Sequence, residues 1–388
     1  MPALLSGVLV LDLSRVLAGP FCTMLLADLG ARVIKVEHPA GGDVTRGWGP
    51  PHHAESGLAA YYLSVNRNKE SIALDLSSPA GRESVRLLAA RADVLVENFA
   101  PGGLARLGLP LEELRRENPL LVTASITGFG REGPDASSPG FDLLAQAGAG
   151  LMAVTGEAAG APAKVGVAVS DLFAGCYTAV GILAALHARD CGGAAAHVET
   201  DLFSSTLASL VNVAQAALLT GEEARRHGNA HPQIVPYRPF RASDGEFILA
   251  VGTDPQFARL CEIVGRPSWR EDPRFATNPA RVGNRVELES ALEEVFRRGP
   301  RAAWLERFRE GGVPAGPVRG PLEALLSETA RALGAVREAR GVRFVASPIR
   351  VDGHQAPLAF PPALDADGQR LRGEFGLPED RKTEDGRG

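Results

Sequence analysis

Asp171 stands out as the residue whose type and setting could do chemistry. A short apolar run, Val165 to Val169, leads into Ser170 and Asp171, and a long series of small and apolar residues follows. The spacing predicts a helix over Asp171–Arg189 with Ser170 as its N-cap, which places Asp171 in the first turn near the positive end of the helix dipole. A free aspartate has a pKa of about 3.9, and even a rise of roughly two units leaves most of it ionised at pH 7. Such a carboxylate needs no partner base to attack an electrophile, unlike a serine, but an acid that merely caps a buried helix has the same residue type and position. Gly175, Ala179, Gly181 and Ala184 keep the helix thin enough for other backbone to pack closely on it.

Other patterns exclude more than they suggest. Gly128-Phe129-Gly130-Arg131-Glu132-Gly133 fits G-x-G-x-x-G, but Pro134, Pro139 and Gly140 follow where a dinucleotide site needs a helix. A glycine loop lining a cleft is the better expectation. The eight histidines, His52 and His53 included, show no paired ligand spacing, so no metal site is expected. No G-x-S-x-G elbow occurs. Arg46, Arg67, Lys69 and Arg106 gather positive charge near predicted strand ends, where it could meet an anion or be ordinary surface.

These residues need a scaffold, and the first hundred-odd positions alternate strand and helix signals. Strands are expected at Val8–Leu13, Arg32–Glu37, Ser71–Leu76, Val94–Glu97 and Leu120–Ile126, with helices at Phe21–Leu29, from Ser78-Pro79, and at Leu111–Glu117. This order implies a parallel sheet covered on both faces, with ligands beyond the carboxyl ends of the strands. Helices are then expected at Asp142–Thr155, Asp171–Arg189 and Leu202–Leu219. A hairpin around Ser243-Asp244-Gly245 opens a smaller α+β domain with helices at Asp254–Val264, Asn284–Arg298 and Ala302–Glu310. Gly311–Pro317 reads as its exit hinge, and a strand at Val342–Ala346 as a return to the first domain. The resulting division is 1–222 for the first part of a large domain, 223–312 for a small one, and 313–388 for the return segment and a polar tail.

The 388 residues, 45% hydrophobic and 22% charged, suit a soluble globular protein with a large core. A net charge of −5 gives no global attraction to nucleic acid or acidic membranes, so an anionic ligand needs a local cluster. Leu202–Gly221 reaches membrane length, but its serines, threonine, asparagine and glutamine argue for a helix buried in protein. Four scattered cysteines and the lack of a secretory signal point to a reducing cytoplasm.

Seven stretches carry a resemblance: VLDLSRVLAGPFCTMLLADLGARVIKVE, GGDVTRGWGPP, SVNRNKESIALDL, VENFAPG, SITGFGREGP, PGFDLLAQAGAG and GVAVSDLFAG. In register over nearly the whole chain, they resemble the family III CoA-transferases of the CaiB/BaiF type. SVNRNK and HPQIVPYRPF look most like succinate–hydroxymethylglutarate CoA-transferase, which implies a small dicarboxylic acid as substrate. The resemblance implies a Rossmann-like large domain with an inserted α+β domain, in an interlocked homodimer. It makes Asp171 the catalytic carboxylate. Its CoA-binding positions fall on Val16, Leu17, Ala18, His38, Leu74, Asn98, Phe99, Arg106 and Phe141. His38 and Ser77 stand where formyl-CoA transferase has arginine and lysine, and Leu364–Gly368 replaces a tail motif with His-Thr.

The implied chemistry passes through an aspartyl mixed anhydride and an enzyme–CoA thioester. A CoA thioester is the substrate, and no cofactor is permanently bound. Backbone N–H groups near Gly128–Gly133 or at the start of the Asp171 helix are candidates for the oxyanion site, and Arg46 or Arg238 for pairing with a diacid's second carboxylate. A salt bridge within the fold accounts for either arginine equally well. Two rival readings remain. A 2-methylacyl-CoA racemase shares the fold, but carries a histidine–aspartate stretch where this chain has Phe141-Asp142. A non-catalytic CoA-binding paralogue is the other.

Overall fold

The computed structural model describes residues 4–379. Six strands form one parallel sheet: β1 (Leu9–Asp12), β2 (Arg32–Glu37), β3 (Lys69–Ala73), β4 (Val94–Glu97), β5 (Val122–Thr127) and β6 (His197–Asp201), in the order β3-β2-β1-β4-β5-β6. Successive side chains on a strand point to opposite faces, and here both faces are apolar. Val10, Val33, Val94, Val96 and Val122 meet the helices Ala18–Asp28 and Val169–Asp190 on one side. Leu11, Ile34, Val36 and Leu95 meet Pro79–Ala89, Leu111–Glu117 and Gly368–Phe375 on the other. Ser78 caps Pro79–Ala89 by accepting the Gly81 N–H, as its Ser-Pro start predicts.

The described chain divides into two compact units, one of residues 4–151, 164–222 and 328–379, the other of 152–163 and 223–327. The second contains an antiparallel sheet of β7 (Tyr237–Ala242), β8 (Gly245–Ala250) and β9 (Ala315–Pro317), packed around Phe240, Phe247, Phe296 and Phe308. Ala315–Pro317 was expected to be hinge and is instead a strand, because its backbone completes the free edge of β8. In the first unit, Val342–Val345 pairs with Val336–Ala339 as a separate hairpin. The polar tail from residue 380 onward lies outside the described residues.

Three helix expectations change. Asp142–Thr155 is broken into Asp142–Gly148 and Leu151–Val154 by Gly150, whose φ is +83°. Leu202–Leu219 becomes Leu202–Ser209 and Val211–Thr220, bent by 81°. The long helix begins at Val169 with Ala168 as N-cap, so Ser170 lies inside it. That Val169–Asp190 helix is long and apolar enough to cross a membrane by length and composition alone, but here it packs on the sheet.

Gly175 decides how closely the long helix approaches Ala18–Asp28. A Cβ at Gly175 would sit 2.7 Å from the Ala18 carbonyl oxygen and 3.1 Å from the Phe21 ring. Only a glycine allows that separation, and it brings the turn carrying Asp171 against the N-terminus of the Ala18 helix.

Candidate active site

The loops after β1, β4 and β5 surround a cleft of about 790 Å³ at the carboxyl edge of the sheet. This is where an open parallel sheet takes its ligands. Of the residues singled out from the sequence, Val16, Ala18, Asn98, Phe99, Phe141 and Asp171 line this cleft. His38, Leu74 and Phe99 line a smaller cavity of about 230 Å³, and Arg15 and Phe99 are common to both. Leu17 and Arg106 line neither: Leu17 packs against Met24 and Val65, and the Arg106 guanidinium donates to the Pro101 carbonyl. Arg15, Trp48, Tyr61 and Lys164 also line the large cleft, although the sequence reading assigned them no role there.

The first strand–helix turn is held by buried charge. The Asp12 carboxylate accepts from the Ser14 N–H and hydroxyl, from the Thr23 hydroxyl and from Lys69 at 3.0 Å, and both ion-pair partners are fully buried. Lys35 is equally buried, pairs with Asp43 at 3.0 Å and donates to the Ser14 carbonyl. Asp43 in turn accepts the Val16 N–H at 3.2 Å. These anchors hold Val16 at φ +70°, a conformation a β-branched residue adopts only under constraint. Across the turn, Asn98 accepts the Arg15 N–H and donates to the Arg15 carbonyl, at 2.8 and 2.7 Å. The Arg15 guanidinium lies 5.0 Å from the centre of the Phe99 ring.

Asp171 projects into this setting. Burial raises its pKa first and the neighbouring Asp142 second, while the Ala18 N–H donates to the carboxylate and opposes them, leaving it at about 7. The rise exceeds the two units that the sequence reading allowed for, because the apolar turn and a second acid act together. About half of the group is ionised at neutral pH. Tyr61, pushed up to about 12 by burial and then by Asp171, Asp142 and Asp43, stays a neutral phenol beside it.

Ser170 does not cap the long helix. Its N–H is taken by the Asp142 carboxylate at 2.9 Å, so a residue from another helix supplies the cap. That N–H is therefore committed and leaves the list of oxyanion donors. Gln146, fully buried, donates to Asp142 at 2.7 Å and accepts the Val165 N–H at 2.8 Å. The two arginines considered for a diacid are both in salt bridges within the fold. Arg46 forks onto Glu37 and stacks on Tyr62, and Arg238 pairs with Glu289 and Glu293 in the second unit. Arg67 pairs with Asp28 in the same way. Gly128 lines the large cleft, and a Cβ on it would lie 2.4 Å from the Gly140 Cα, so the two loops meet only because both residues are glycine.

Residues 5–368 match CoA-transferase family III. The chain is 41% identical over 376 residues to acetyl-CoA:oxalate CoA-transferase of Acetobacter aceti, covering 96% of each sequence. It is 44% identical over 334 residues to succinate–glutarate CoA-transferase of Agrobacterium fabrum, covering 85% of this chain and 84% of that one. Among solved structures, a CaiB/BaiF family protein from Brucella suis superimposes with a TM-score of 0.86 at 42% identity, covering 96% of this chain and 99% of the other.

Proposed function

The chain belongs to CoA-transferase family III and is an acyl-CoA:carboxylate CoA-transferase; from this we propose that it moves CoA from a donor such as succinyl-CoA to a small dicarboxylic acid, with Asp171 as the nucleophile. A single observation carries the assignment: the Asp171 carboxylate lines the large cleft, desolvated, at the N-terminus of the Ala18 helix. An Asp171 oxygen attacks the thioester carbon, the C–S bond breaks, and CoA leaves as thiolate from a mixed anhydride. The thiolate attacks the aspartyl carbonyl, releasing the donor acid and forming an enzyme–CoA thioester. The acceptor carboxylate then attacks the aspartyl carbonyl of that thioester, the C–S bond breaks, and CoA thiolate leaves to give a second anhydride. Thiolate attack on the acceptor's acyl carbon yields the new CoA ester and restores Asp171.

A carboxylate is a poor attacker of thioesters, and two features offset this. Desolvation makes Asp171 more basic, hence more nucleophilic, while leaving about half of it ionised at pH 7. Binding energy from the remote nucleotide end of CoA holds the carbonyl in place. We assign that end to the smaller cavity, which His38 and Ser77 line, and the pantetheine arm to the junction at Arg15 and Phe99. The family resemblance also gives Leu17 and Arg106 as CoA-binding positions, although neither lines either cavity. No resident cofactor enters the scheme.

The closing test is a panel of mono- and dicarboxylic acids incubated with succinyl-CoA, with mass detection of new CoA esters. Conversion of monocarboxylic acids alone overturns the diacid assignment. Deuterium exchange at the α-carbon of a 2-methylacyl-CoA supports the racemase instead, although Phe141 offers no proton carrier at the cleft. A CoA-binding paralogue without activity converts none of the acids. kcat/KM for the donor is expected to rise about tenfold per pH unit below about pH 7 and flatten above it, since only ionised Asp171 attacks. A profile flat from about pH 5.5 to 9 contradicts this nucleophile.

We place the protein in the cytoplasm as an interlocked homodimer. Val211, Leu218 and Leu219 on the Val211–Thr220 helix are at least 69% exposed in the single chain, which suits burial against a second copy. Light scattering is expected to return twice the mass of one chain, and a monomer overturns the dimer.

A further inference from the structure

Four charged side chains line the large cleft: the acids Asp142 and Asp171, and the cations Arg15 and Lys164. Four other basic groups near the strand ends are neutralised, Lys35 by Asp43, Lys69 by Asp12, Arg46 by Glu37 and Arg67 by Asp28, and Arg106 donates to the Pro101 carbonyl and does not line the cleft. Among the described residues no ion-pair partner is found for Arg15 or Lys164. Arg15 sits over Phe99 where the two cavities join, on the side of the basic residues Lys35 and His38. Lys164 precedes Asp171 by seven residues, and its ammonium donates only to the carbonyl of its neighbour Val165, at 3.1 Å.

The backbone beneath Lys164 is anchored. Fully buried Gln146 accepts the Val165 N–H at 2.8 Å and donates to the Val167 carbonyl at 3.4 Å and to Asp142 at 2.7 Å. The same Asp142 caps the helix that carries Asp171. One buried amide thus ties the base of the lysine to the turn of the nucleophile, while the exposed ammonium donates to the Val165 carbonyl.

We propose that Lys164 receives the second, non-reacting carboxylate of a dicarboxylic substrate, and so sets the preference for diacids over monoacids. This rests on the transferase reading above. A diacid brings two negative charges to a cleft that already holds two acids. Its reacting carboxylate must approach Asp171, and its distal one needs a cation that the fold has not already paired. Lys164 meets that need on a segment fixed relative to Asp171. An ammonium on a long flexible stem also accommodates diacids of different length, which a forked guanidinium does less readily.

The test compares wild type, Lys164→Met and Lys164→Arg, using glutarate and butyrate as acceptors at saturating succinyl-CoA. Both acids react with the same enzyme–CoA thioester, so kcat/KM for the acceptor isolates the distal charge. Lys164→Met is expected to lower kcat/KM for glutarate by about 10- to 100-fold, the range of a hydrogen bond to a charged group, with a change below about threefold for butyrate. Lys164→Arg is expected to restore most of the glutarate rate. Equal losses on both acids, or an unchanged glutarate rate in Lys164→Met, overturn the lysine's role while leaving the transferase intact. A wild-type protein that forms no CoA ester from either acid overturns the transferase reading, and this proposal with it.

Discussion

Asp171→Asn is expected to lower kcat by about 10⁴-fold or more while making the folded protein more stable. In the proposed mechanism Asp171 is the nucleophile, and removal of an essential nucleophile has costs of that order. The asparagine is isosteric and its carbonyl can still accept the Ala18 N–H, so loss of activity is not loss of structure. The stability gain follows from burial and from Asp142, which raise the native pKa to about 7. The unfolded chain releases this proton near pH 4 and the native protein only near 7. Native Asp171 therefore costs stability progressively as pH rises between those values. Allowing for the solvent that reaches it from the cleft, the variant is expected to gain about 1 to 3 kcal/mol at pH 8 and much less at pH 5. Urea unfolding at the two pH values checks this, and intact-protein mass after quenching with succinyl-CoA checks the adduct. An Asp171→Asn protein with undiminished turnover removes the mechanism.

Asp12→Ala is expected to destabilise the fold by about 3 to 5 kcal/mol, because it strands Lys69 as a buried, uncompensated charge. Burial alone pushes the Asp12 carboxyl up, but Lys69, Lys35 and the hydroxyls of Ser14 and Thr23 outweigh it and hold it at about 2. Its contribution is therefore present above about pH 4 and disappears as pH falls toward 2. Adding Lys69→Met to Asp12→Ala is expected to recover much of the loss, since an apolar pair leaves no orphaned ion. Urea midpoints of the single and double variants decide this, and strictly additive losses contradict it. Activity is expected to stay low in the double variant, because Asp12 also holds the Ser14 end of the turn that carries Val16 and Ala18.

Much of the scaffold was legible because its signals are local. Buried parallel strands are short apolar runs, and Arg32–Glu37 and Val94–Glu97 form as expected from theirs. Ser78-Pro79 specifies a helix start through one hydroxyl and one fixed φ, and the helix begins there. β6, His197–Asp201, escaped notice because this half-exposed edge strand, paired only with β5, reads His-Val-Glu-Thr-Asp without an apolar run. The Leu202–Leu219 run looked like one helix because composition is blind to an 81° bend. In the site, the motif containing Asp171 stood out, whereas Lys164 carried no pattern to notice.

The sequence by itself determined the family, the parallel α/β scaffold and the candidate nucleophile, because motifs and periodicity are encoded in neighbouring residues. Only the tertiary structure decided which charges are spent and which remain. Glu37 claims Arg46, Asp142 takes the Ser170 N–H, and Gly175 lets two helices close until Ala18 reaches Asp171. Each of those outcomes depends on groups far apart in the chain. Burial and Coulomb attraction act through space, and they set an aspartate's proton affinity by what surrounds it after folding.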